Sequence, residues 1–129
     1  MLIVCASAIL MLTNPVAGNS ASTSVGYESL VEGRDEIAIR ELTENSRLAE
    51  DDPVRLINLG VAYARQGRRE EAREKFEAAM RSADRAVLET AEGKWIESRH
   101  LARRALTMLD NNELGPARVI VRQASASRP

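Results

Sequence analysis

The side chains able to do chemistry are few and do not converge. A single histidine, His100, stands at the start of a helical stretch among Arg99, Arg103 and Arg104. Such a position suits an imidazole facing water, and no nucleophile or carboxylate is spaced to make it a general base. The paired carboxylates Asp51-Asp52 and Glu70-Glu71 are sequence neighbours near expected helix starts, where negative charge complements the helix dipole. One cysteine, Cys5, sits in an apolar run, which leaves no thiol pair for a disulfide and no Cys/His cluster for zinc. Gly60, Gly67 and Gly93 lack the spacing of a phosphate-cradling loop. The expectation is a non-enzyme with no catalytic, cofactor-binding or metal-ligating residue.

Charge excludes other classes. The 129 residues carry 18 Lys and Arg against 19 Asp and Glu, a formal net charge of -1, so no overall field favours nucleic acid or anionic lipid. Arg68, Arg69, Arg73 and Lys75 alternate with Glu70, Glu71, Glu74 and Glu77, which reads as ion pairs on a wet helix face.

The elements that hold these residues follow from periodicity. The length suits one domain, and a 3% aromatic content with abundant Ala, Leu, Glu and Arg favours a mainly all-α fold. Matching residues recur 34 positions apart: Gly26 with Gly60, Gly33 with Gly67, Ala38 with Ala72, and Leu42 with Phe76. Leu56, Leu59 and Tyr63 form one helical stripe and Ala72, Phe76 and Ala79 a second, so two helices can close face to face. Gly60 and Ala72 are small where the helices approach, and Gly67 falls at the turn between them. Helices are expected over Val25–Glu32 and Asp35–Ala49, with Asp51-Asp52-Pro53 opening the next by capping and a preset φ. Ser98–Asp110 reads as a further helix with Ser98 as its N-cap and Leu101, Ala102, Ala105, Leu106 and Leu109 as its apolar stripe.

Pro53 to Asp84, with Leu56, Leu59-Gly60, Tyr63, Gly67, Ala72, Phe76 and Ala79, resembles the tetratricopeptide repeat. The departures are Leu56 where the family often has Trp and Asp84 where it has Pro. In the preceding copy, Ser29 stands in the position of Tyr63 and Asn45 in that of Ala79. The resemblance implies an antiparallel helix-turn-helix α-solenoid of about two and a half repeats over residues 25–110, working as a scaffold for a protein or peptide. It also implies a concave binding groove lined by Val54, Ile57, Asn58, Val61, Ala64 and Arg65. Ile57 and Val61 occupy the sites where some members carry carboxylate-clamping lysines, so that clamp is not expected. Asn58 matches the common groove asparagine and could bond an extended backbone. Against an open apolar groove stands the equal reading that Ile57 and Val61 are covered by a neighbouring unit or a second copy of the chain.

After Asp84 the register fails, because the next Ala-x-x-x-Leu signal, Ala102 with Leu106, comes 30 residues after Ala72. This reads as a third unit that has lost part of its first helix. Ala86–Thr90 and Lys94–Ser98 flank a Gly-containing loop and suggest a β-hairpin. The competing reading is a shortened helix over Ala83–Ala91, and Trp95 with Ile96 decides between them, since a strand turns one of the two inward.

Met1–Leu12 is an uncharged apolar run followed by Val16-Ala17-Gly18, which reads as a secretory signal peptide over residues 1–18, although no Lys or Arg precedes the run. Residues 19–24 read as a flexible linker and 111–129 as a disordered tail in which Arg118, Arg122 and Arg128 are solvated. The expectation is a periplasmic or secreted interaction module, off the membrane once the signal is cleaved. The alternatives are a self-associating homodimer, or a cytosolic adaptor if Met1–Leu12 is retained.

Overall fold

The computed structural model describes residues 25–114 and 119–122. The expected signal peptide, the linker and Cys5 lie outside the described residues. Five helices and a small sheet follow in the order α1 (Tyr27–Val31), α2 (Asp35–Glu44), α3 (Pro53–Arg65), α4 (Arg69–Arg81), β1 (Val87–Thr90), β2 (Trp95–Glu97), α5 (Ser98–Asp110) and β3 (Val121–Arg122).

The 34-residue rhythm is physical. A Cβ added at Gly60 would lie 2.4 Å from the ring of Phe76, and one added at Gly26 would lie 2.6 Å from Cγ of Leu42. The equivalent glycine therefore admits the equivalent large side chain in both units. The turns repeat as well: Gly33 and Gly67 take φ of 74° and 75°, a conformation that costs glycine little. Arg34 N donates to Ser29 O as Arg68 N does to Tyr63 O.

The cap at α3 is as expected: the Asp52 carboxylate accepts from Val54 N at 2.8 Å and Arg55 N at 3.1 Å, with Pro53 in the first turn. Helix α2 is shorter than expected. Asn45 leaves the helical region and accepts through its side chain from Arg47 N at 2.8 Å, a local bond that competes with another helical turn. Ser98 is the first residue of α5 and not its N-cap; Glu97 precedes it in extended conformation because β2 runs straight into the helix.

Residues 86–98 form the hairpin, with Val87 opposite Glu97, Leu88 opposite Ile96 and Glu89 opposite Trp95. Ile96 packs on the core while Trp95 is 42% exposed, which removes the helical alternative. β3 pairs antiparallel with the other edge of β1, giving the strand order β2-β1-β3.

The third unit is organised differently from expectation. Helices α1, α3 and α5 each end in a near-helical cap followed by a residue of positive φ: Gly33, Gly67 and, at 58°, Asn112. Helices α2 and α4 end in extended residues instead. By this criterion α5 is a first helix, complete at 13 residues like α3, and no second helix follows it among the described residues. Its register relative to α3 is 45, which is 34 plus 11 from the inserted hairpin, and places Leu101 on Leu56, Ala105 on Gly60 and Met108 on Tyr63. The Ala102–Leu106 signal was therefore matched to the wrong helix.

Candidate functional site

The site is built on α3, whose buried residues run almost all round the helix. A helix apolar on every face must be covered on every face, and α3 packs against α2, α4, α5 and β3. Among its covered residues is Asn58, whose amide would be costly to bury unpaired. Both of its functions are used on one residue. Asn58 Nδ2 donates to Val121 O at 2.7 Å, and Val121 N donates to Asn58 Oδ1 at 2.9 Å.

The opposite edge of the same short segment is held by the sheet, where Ala91 N donates to Ile120 O at 2.9 Å. The N–H and C=O of alternate residues thus face Asn58 and β1, as the two-residue period of an extended chain requires. The side chains of Val119, Ile120 and Val121 are fully buried. Arg122 ends the segment with Nε 2.7 Å from Glu89 Oε2 and its guanidinium 5.7 Å from the Tyr27 ring centre. The hydrogen bond from Arg122 holds the Glu89 carboxyl below its ordinary range, and the same bond raises the Arg122 guanidinium further.

This arrangement corrects two expectations. The groove residues Val54, Ile57 and Val61 are core side chains and not an open lining, because α5 and the chain's own Val119–Arg122 lie over α3. Arg65 does not wait for a ligand either: its Nη1 donates to Leu30 O at 2.7 Å and to Asp35 Oδ1 at 3.2 Å, tying the first unit to the second. Ala64 alone of the six borders solvent without such a tie, half-buried at the wall of a surface cleft of about 390 Å³ shared with Arg69, Leu109, Asn112 and Leu114. The tail is not disordered throughout, since Leu114 and Val119–Val121 are buried, and Arg122 is paired within the chain. Arg118 and Arg128 lie outside the described residues.

The residues expected to form the repeat core lie on α3 and α4. Leu56, Leu59, Ala72, Phe76 and Ala79 are buried, and Gly60 receives the Phe76 ring. Tyr63 is half-buried against the same core, with the Arg68 guanidinium 4.4 Å from its ring centre. Arg68 in turn pairs with Glu71, whose carboxyl this bond holds below its ordinary range. Across the next interface Arg69 Nη1 donates to Asn112 Oδ1 at 2.7 Å and Arg73 pairs with Asp110. His100 is exposed, its nearest acidic partner Glu97 at 3.6 Å. Among the described residues no group of three His, Cys, Asp or Glu could hold a metal ion, and no helix is long and apolar enough to cross a membrane.

Sequence reasoning missed the buried segment Val119–Arg122 and its strand β3. Its signal was three consecutive β-branched residues after Gly115-Pro116, short for a strand and set in a polar context. Asn58 was expected to bond the backbone of an extended peptide; the backbone it holds in this structure is that of its own chain.

The family model described as tetratricopeptide repeat matches residues 53–85. No curated protein and no solved structure matches the chain. The matched residues span α3 and α4, the pair that opens on the Asp52 cap, closes Gly60 against Phe76 and turns at Gly67. Over that pair, about a quarter of the chain, the protein is similar to the tetratricopeptide repeat.

Proposed function

We propose that the chain is an exported, non-catalytic scaffold of about two and a half tetratricopeptide repeats that holds a partner protein in the periplasm or outside the cell. Tetratricopeptide repeats are in general protein-interaction modules without catalysis, and the match at residues 53–85 supports that reading for this chain. The observation that carries it is the repeated seam, Gly26 on Leu42 and Gly60 on Phe76. It stacks helix pairs into a rigid support and leaves the chemistry to whatever is bound. Export is supported by the apolar Met1–Leu12 and the small residues Val16-Ala17-Gly18.

Crosslinking in the native host followed by mass spectrometry tests the scaffold reading. Reproducible crosslinks to one or a few other proteins are expected. Crosslinks only between copies of the chain would replace the scaffold with a self-associating protein, and none at all would remove both. Amino-terminal sequencing of the mature chain tests export separately, with Asn19 the expected first residue and a retained Met1 the result against it.

A further inference from the structure

The segment Val119–Arg122 is held in a manner suited to a ligand. Its backbone is read on both edges, by the Asn58 amide through both polar groups of Val121 and by β1 through Ala91 and Ile120. Contacts to main chain specify an extended conformation and leave the sequence free. Sequence enters through three fully buried side chains and one basic residue, which meets the carboxylate of Glu89 and the ring of Tyr27. The element it borders is the side edge of β1, and the edge of a strand is a template for any extended chain. Among the described residues no second helix follows α5, and the segment Val119–Arg122, which ends in β3, packs on α3.

We propose that the slot between Asn58 and the edge of β1 binds an extended segment of a partner protein, three apolar β-branched residues followed by a basic one, and that Val119–Arg122 is its resident in cis. The proposal rests on the scaffold reading and names the chemistry of its partner. Charge complementarity to Glu89 selects the basic fourth position. The amide of Asn58 selects a residue with a free N–H at the third, which excludes proline there.

The test uses the full chain and a fluorescent peptide spanning residues 117–124, followed by anisotropy. In the wild-type chain the tethered segment competes at an effective concentration on the order of millimolar, so the added peptide binds weakly. Val121→Pro removes the N–H that meets Asn58 Oδ1 and loosens the resident. The peptide should then bind roughly a hundredfold more tightly than to wild type. The same peptide with proline at position 121 should lose roughly tenfold of that gain, which isolates the Asn58 bond. Equal peptide binding by wild type and a folded Val121→Pro chain would overturn the proposal, as would indifference to proline in the peptide. If Val121→Pro is unfolded alone, return of its helical circular dichroism on adding peptide supports the slot, and no return overturns it. Dimerisation of Val121→Pro in place of peptide uptake also overturns it, because the occupant would then be a second copy. Crosslinks to partners without peptide uptake would leave the scaffold reading standing and remove the slot alone.

Discussion

Replacing Gly60 with alanine probes the seam on which both repeats depend. The new Cβ would lie 2.4 Å from Cε1, 2.7 Å from Cδ1 and 2.8 Å from Cζ of Phe76. That ring is completely buried, so it cannot swing into solvent to make room. Overpacking of a core costs about 1–3 kcal/mol, and three ring atoms on one methyl put this case at the upper end. Alanine recovers about 1 kcal/mol of helix propensity over glycine. The net loss is ~2 kcal/mol, which lowers the melting temperature of a domain of this size by roughly 10 °C. Urea and thermal unfolding followed by far-ultraviolet circular dichroism measure it. Phe76→Leu in the Gly60→Ala background should cost less than the two single losses added, by about 1 kcal/mol, because the clash is shared. A Gly60→Ala chain at or above wild-type stability would mean that the ring does not rest on Gly60, and the reasoning would fail with it.

Three further outcomes are expected. Asp52→Ala should cost ~1 kcal/mol in the same unfolding assay, the value of an N-cap with two backbone donors. Asn112→Ala should destabilise by about 1 kcal/mol because its φ of 58° disfavours alanine, whereas Asn112→Gly should stay near wild type; equal loss in both would contradict the assignment of α5 as a first helix. The Glu89 carboxyl is held below its ordinary range by Arg122, so the pair contributes fully above the carboxyl's unfolded value and loses that contribution as pH falls through the lower folded one. Emission from Trp95, the cross-strand neighbour of Glu89, should shift on acidification in that range in wild type and stay level in Glu89→Gln.

The helix pairs were legible because their determinants are local and periodic. Gly60, Tyr63, Gly67, Ala72 and Phe76 each need a neighbour three, four or thirty-four residues away, and each met it. The hairpin was legible for a similar reason, since Gly93 and the alternation of Trp95 with Ile96 speak within one short stretch. What failed was long-range. Asn58 and Val121 are 63 residues apart, and nothing in either neighbourhood names the other. Arg65 looked available because its partners, Leu30 and Asp35, lie in the preceding unit. The register of α5 was misread because an eleven-residue insertion displaced it, so that Ala102 imitated Ala72 while Ala105 carried the true correspondence to Gly60.

The distance in sequence between Asn58 and its partner also orders events during synthesis. Helix α3 and the hairpin leave the ribosome well before residues 119–122, and contacts that close so long a stretch of chain form slowly. Until they close, the amide of Asn58 lacks its partner on an otherwise assembled support. A newly made chain thus passes through an interval in which another polypeptide can reach α3 unopposed, and in which a chaperone or a passing strand would find its most adhesive surface.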